Sequence, residues 1–154
     1  MENGNTNWQQ SVTAVVIKDG KVLLARHTYG AGKGRLIIPG GYVNNGETPQ
    51  QAVKREFLEE TGITIEPKDI IGIRFNTHDW YVAFSADYID GVARSDNDEN
   101  SEVIWLDTAD ALKHEDVPEL TKRLIESALN NNHPLTETDF TSSEKYSPYS
   151  LYTK

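Results

Sequence analysis

The stretch from Thr48 to Gly62, TPQQAVKREFLEETG, constrains this chain more than any other. Thr48 followed by Gln51 makes a capping box, Pro49 suits the first helical position, and Gly62 suits the residue just past the end. A helix is expected between them. At about 100° per residue, Glu56, Glu59 and Glu60 stand at i, i+3 and i+4, on one face with the small Ala52. Val53 and Phe57 form an adjoining apolar strip able to dock on a sheet. The carboxylates therefore lie beside the buried strip, not opposite it. Each close like-charge pair costs about 0.2–0.5 kcal/mol on a helix, and the cluster sits at the end where the macrodipole favours cations. Arg55 adjoins it but is not enough to neutralise three carboxylates. So unfavourable a local choice points to an absent partner of opposite charge.

Oxygen donors without histidine or cysteine suit a hard divalent ion, Mg²⁺ or Mn²⁺ in its place. A solvated acidic face is the alternative, and three glutamates alone do not separate the two. The wider stretch does. Gly41, Glu47, Arg55, Glu56, Phe57, Glu59, Glu60, Gly62 and Ile63 fill every position of Gly-x5-Glu-x7-Arg-Glu-U-x-Glu-Glu-x-Gly-U, with U a bulky apolar residue. Residue usages of about 5–7 % make a chance match on the order of one in 10⁸–10⁹ starting points, so the match is taken as meaningful. The chain resembles the Nudix hydrolases.

The resemblance implies an α/β fold, an α/β/α sandwich around a mixed β-sheet. It also implies cleavage of a phosphorus-containing anhydride: a nucleoside diphosphate linked to another moiety X yields a nucleoside monophosphate and phosphorylated X. Dinucleoside polyphosphates, ADP-ribose-like sugars and (deoxy)nucleoside triphosphates are all candidate substrates. Glu56, Glu59, Glu60 and the carbonyl of Gly40 would hold the ions, with Glu59 and Glu60 as principal ligands and Glu56 shared with water activation. Glu47 would pair with Arg55 and fix the loop on the helix. Glu99 and Glu102 resemble a downstream acidic loop, with Glu99 the candidate general base. The rival expectation is a nucleotide-sensing or protein-binding module that keeps the fold without turnover; the intact glutamate set argues against it.

A net charge of −9 argues against nucleic acid or anionic membrane as a partner held by a basic surface, so bound cations must attract an anionic substrate. The segment MENGNTNWQQ lacks the regions of a secretory signal, and the absence of cysteine fits a reducing cytoplasm. A homodimer is compatible with the sequence. Ser11–Ile17 and Lys21–His27 read as strands joined through Asp19-Gly20, Ile70–Asn76 and Trp80–Tyr88 as a second pair, and Glu102–Leu106 as another strand. A short helix is expected near Thr108–Lys113. A longer one follows Asp116, boxed with Glu119, with Val117, Leu120, Leu124 and Ala128 inward. Residues 1–130 then form the Nudix domain and 131–154 a polar tail, either loosely held or packed through Phe140, Tyr146, Tyr149 and Tyr152 on the domain or a second subunit.

The GAGKG segment lacks phosphate-loop spacing and reads as plain loop. Arg26 and Arg35 are candidate phosphate contacts, with solvation the plainer reading of each. Trp80 and Tyr81 point to opposite faces of their strand; one is a candidate for stacking on a base, ordinary packing being the rival. Tyr42 is expected at the mouth of the site, whereas His27 and His78 have no evident role. Leu36 stands where many Nudix relatives carry tryptophan, and Asp79 where many ADP-ribose enzymes carry proline. Tyr81 matches a position at which dinucleoside polyphosphate hydrolases often have tyrosine.

Overall fold

The structure is a computed structural model that describes residues 9–130, 134–141 and 149–154. Strand β1 (Gln9–Lys18) turns into β2 (Lys21–His27) through Asp19 and Gly20, whose φ values of 51° and 76° suit a tight hairpin turn. β3 (Leu36–Ile37) pairs with β2, and β4 (Gly40–Tyr42) pairs antiparallel with β1. Helix α1 (Pro49–Thr61) leads into β5 (Thr64–Phe75) and β6 (Asp79–Asp90). β5 and β6 are antiparallel, whereas β6 lies parallel to β1 with Tyr81 opposite Ser11, so the sheet is mixed. β7 (Asn100–Asp107) covers the outer edge of β2, followed by α2 (Thr108–Ala111) and α3 (Glu119–Leu129).

Alternation along β1 builds the two cores. Val12, Ala14 and Val16 meet Ala52, Val53 and Phe57 of α1 on one face. Val15, on the other face, joins Ile71, Leu124 and Ile125 beneath α3. Helices thus flank the sheet on both sides, as the α/β/α reading requires. Phe57 is fully buried; such burial is worth about 1.5–3 kcal/mol and helps hold α1 against the sheet. Among the described residues no helix is long and apolar enough to cross a membrane.

Both ends of α1 follow local chemistry. Thr48 Oγ1 accepts from Gln51 N at 3.2 Å and Gln51 Oε1 accepts from Thr48 N at 2.9 Å, closing the box. Gly62 is left-handed, with φ 75°. A Cβ there would also lie 2.9 Å from Arg94 Nε and 3.1 Å from the carbonyl of Val92. Gly62→Ala should therefore cost at least about 1–2 kcal/mol, the penalty of that backbone region, read as a lower urea midpoint; an unchanged midpoint would refute the argument.

The box expected at Asp116 and Glu119 does not form. Pro118 is the N-cap of α3, and no side chain caps it. Asp116 is held elsewhere: its carboxylate accepts from Arg26 Nη1 at 3.0 Å, and its carbonyl accepts from Leu36 N and Arg35 Nε at 2.9 and 3.0 Å. An ion pair with arginine, charged on both sides, wins over a cap in which only the carboxylate is charged. The helix is also rolled relative to expectation, burying Thr121, Leu124, Ile125 and Ser127 while Leu120 and Ala128 are only partly covered.

Beyond α3, β8 (Thr136–Glu137) pairs with β9 (Ser150–Thr153), and β9 adds antiparallel to β5 with Leu151 fully buried. Tyr152 meets Phe75 edge-on at 6.0 Å, and Phe140 meets Tyr149 at 5.8 Å. Tyr146 lies outside the described residues.

Candidate functional site

The loop before α1 is stapled to β1. Thr13 Oγ1 donates to the carbonyl of Pro39 at 2.6 Å, and Gly40 and Gly41 pair with Thr13 and Val12. A Cβ on Gly41 would lie 2.6 Å from Glu56 Oε1, so only glycine lets the loop rest directly on that carboxylate. Glu47 closes the loop by accepting from Asn44 N at 2.9 Å.

Arg55 then joins loop to helix. Its Nε and Nη2 grip both oxygens of Glu47 at 2.7 and 2.9 Å, and Nη2 also donates to the carbonyl of Tyr42 at 3.1 Å. Its Nη1 reaches Glu56 at 2.8 Å and Glu59 at 3.3 Å. The guanidinium holds the Glu47 carboxyl below its ordinary value, and Glu47 in turn raises that of Arg55. One arginine therefore serves two of the three clustered glutamates as well as Glu47. Glu60 is not among its partners.

Glu60 is 6 % exposed. Burial first, then the charges of Glu56 and Glu99, pushes its carboxyl up to about 9. Glu56 is raised as well, chiefly by burial. Oxygens of Glu56, Glu60 and Glu99 all lie within 4.8 Å of one another. Glu59 stands at the rim with a 60 % exposed side chain, lining a cavity of about 250 Å³ together with Glu60, Asp96, Asp98 and Glu99. The donor set is all oxygen, convergent and short of positive charge at Glu60, which fits a hard divalent cation.

Glu99 comes from a loop ordered by its own side chains. Asp96 Oδ1 accepts from the backbone N of Asp98 and Asn100 at 2.9 and 3.0 Å. Thr28 ties this loop to the end of β2, where the pairing with β7 slips by one residue between Arg26 and His27. Neither Asn100 nor Thr28 was apparent from sequence. The Ser-Asp-Asn-Asp run does signal a turn, but not where it would dock.

A second cavity, about 190 Å³, opens beside the glycine loop and is lined by Gly40, Gly41, Tyr42, Tyr81, Tyr29 and His27, among others. The Tyr29 hydroxyl is pushed up by partial burial and by the charges of Glu99, Glu60 and Glu56. Burial lowers His27 against the pull of Glu99 and Asp96. Trp80 faces the opposite side of the sheet, in a cleft with Val12, Pro49 and Val82, its ring edge-on to Phe75 at 5.4 Å. Arg26 is engaged by Glu102, Asp116 and the carbonyl of Gly34, and Arg35 by Asp116.

Known proteins resemble this chain in sequence and in fold. A family model for the NUDIX domain matches residues 8–127. The chain is 32 % identical over 127 residues to a protein of Vibrio atlanticus named NAD-capped RNA hydrolase NudC, covering 78 % of this chain and 45 % of that one. It is 40 % identical over 63 residues to an ADP-ribose pyrophosphatase of Methanocaldococcus jannaschii, covering 41 % and 37 % respectively. The chain thus spans under half of the length of these two curated relatives. The crystal structure of a MutT protein from Methanosarcina mazei superposes with a TM-score of 0.68 at 29 % identity, over 82 % of this chain and 96 % of that one.

Proposed function

Because the chain belongs to the Nudix family, we propose that it is a divalent-metal-dependent pyrophosphohydrolase that splits a nucleoside diphosphate derivative into a nucleoside monophosphate and a phosphorylated remainder. One observation carries the reading: the carboxylates of Glu56, Glu60 and Glu99 converge within 4.8 Å around a buried Glu60 that, among the described residues, has no arginine of its own. Glu56, Glu60 and Glu99 would hold Mg²⁺ or Mn²⁺, with Glu59 and the Gly40 carbonyl completing the set. When bound, such an ion neutralises phosphate charge and acidifies a water.

The remaining work falls to the chain itself. Arg55 and Glu47 keep the glycine loop seated on α1, so that Gly41 and Glu56 stay in register. Glu99 is the candidate to take the proton of the attacking water, with Glu56 able to share that duty. Arg26 is engaged by Glu102 and Asp116, while exposed Arg35 bonds, among the described residues, only through Nε to the Asp116 carbonyl and remains the better placed of the two candidate phosphate contacts. We place the nucleoside in the aromatic cavity of Tyr29, Tyr42 and Tyr81. Rings there offer stacking surface beside the acidic cluster.

The relatives' names widen the field of substrates rather than narrowing it. We propose testing ADP-ribose, NADH, diadenosine polyphosphates, deoxynucleoside triphosphates and an NAD-capped RNA side by side with Mg²⁺ and Mn²⁺, identifying products by mass. Cleavage of at least one of them to a monophosphate, abolished by EDTA, is the expected result. No cleavage of any of them would overturn the proposal.

A further inference from the structure

We infer that Asn100 is a positioning residue, clamping the loop that carries Glu99 onto the last turn of α1 and so setting how closely Glu99 approaches Glu56 and Glu60. The inference rests on the functional reading above and extends it to a residue outside the carboxylate set. Glu56 and Glu60 arrive on one helix, but Glu99 is brought to them from a separate element, and its loop has to be held in place.

Two ties do so. On one side Thr28 N donates to the carbonyl of Glu99 at 3.1 Å, and Thr28 Oγ1 to that of Asp98 at 2.6 Å. On the other, Asn100 Nδ2 donates to the carbonyl of Glu60 at 2.9 Å. That carbonyl is among the last four of α1, which lack a partner within the helix. The clamp therefore satisfies a helix end and fixes the loop in one bond, made at the backbone of the cluster's most buried member.

The rest of the Asn100 side chain argues that this is more than packing. The residue is 2 % exposed, yet among the described residues its Oδ1 has no donor. A buried acceptor without a donor is a stability cost that calls for an explanation. Its backbone is also tied, N donating to Asp96 Oδ1 at 3.0 Å and the carbonyl accepting from Ser95 Oγ at 2.8 Å. Opposite His27, the one-residue slip in the β2–β7 pairing re-aims the chain at Asn100.

The test is a double-mutant cycle with Glu99→Gln, read by calorimetric titration of Mn²⁺ into protein without substrate. Asn100→Ala and the more space-filling Asn100→Leu are both measured, so that the result does not depend on one variant folding. Each is expected to weaken Mn²⁺ binding about 10–100-fold, the usual effect of removing a residue that orients a ligand. In the Glu99→Gln background the same change should add less than about 2-fold, since the clamp acts through Glu99. Melting temperatures should fall by no more than a few degrees, because the loss of the bond to the Glu60 carbonyl is partly offset by the departure of the orphaned acceptor. Parent-like Mn²⁺ affinity, equal weakening in both backgrounds, or failure of both variants to fold would overturn the assignment. If the unaltered protein itself binds no Mn²⁺, the functional reading falls first and this inference with it, a result distinguishable from a clamp without effect.

Discussion

Glu60→Gln is expected to lower turnover by about 10²–10³-fold, the usual loss when one preorganised electrostatic contact is removed from a reaction centre, and at the same time to stabilise the metal-free protein. The two effects have one cause. Glu60 is buried against Glu56 and Glu99, so its charged form is costly until a cation joins it. Glutamine has nearly the same shape and no charge to desolvate. In EDTA at pH 8 the variant should melt a few degrees above the parent, since about 1 kcal/mol moves the transition of a domain this size by roughly 2–4 °C. With Mg²⁺ present the order should narrow or reverse, because only the parent gains from the ion. Steady-state kinetics and thermal denaturation with and without EDTA provide the check. Parent-like turnover, or a lower melting point in EDTA, would remove Glu60 from the centre of the site.

A pH profile reads the same carboxyl without mutation. Burial and its neighbours raise the Glu60 carboxyl in the folded chain from 4.5 to about 9. Between those values the folded protein keeps a proton that the unfolded chain has released, so stability falls as pH rises. The limiting slope is about 1.4 kcal/mol per pH unit for one group. Glu56 is shifted in the same direction and adds to the fall. Glu47 acts oppositely: Arg55 depresses it, so its contribution is lost only as pH drops through the acid range, outside this window. In EDTA the urea midpoint at pH 6 should therefore exceed that at pH 8.5. Saturating Mg²⁺ should flatten the profile, and titrating Mg²⁺ near neutral pH should release protons, detected by calorimetry in buffers of different ionisation enthalpy. A flat profile in EDTA, or an equal slope in Glu60→Gln, would contradict the linkage.

How much of this was legible in the chain depended on the range of the interactions. Helix α1 was readable to the residue because its signals are local: Thr48 with Gln51, Pro49, and Gly62. So was the Asp19-Gly20 turn. Helix α3 was placed well but its start was misread, since Asp116 answers to Arg26, far away in sequence. Strand β5 begins at Thr64, several residues before the expected Ile70, because pairing with β6 carries it through Pro67 and the shifts in register. The backbone of Gly40 and Gly41 becomes a strand only by lying on β1.

The site divides in the same way. That Glu56, Glu59 and Glu60 share a face follows from helical geometry alone. Which of them stays without a counter-charge does not, because it depends on the simultaneous reach of Arg55 to Glu47, Glu56 and Glu59. The approach of Glu99 was suggested by resemblance to an acidic loop, whereas its anchors, Thr28 and Asn100, are set by how that loop docks.

The match to the family model ends at residue 127, but the sheet continues: β5 bonds along its far side to β9, and Lys154 N donates to Ser127 Oγ at 2.9 Å. A gene fragment trimmed where homology stops would strip that border and leave a row of unsatisfied amides and carbonyls on β5. Such a ragged margin invites stacking by a neighbouring molecule, so a shortened version would be the form that clumps during purification.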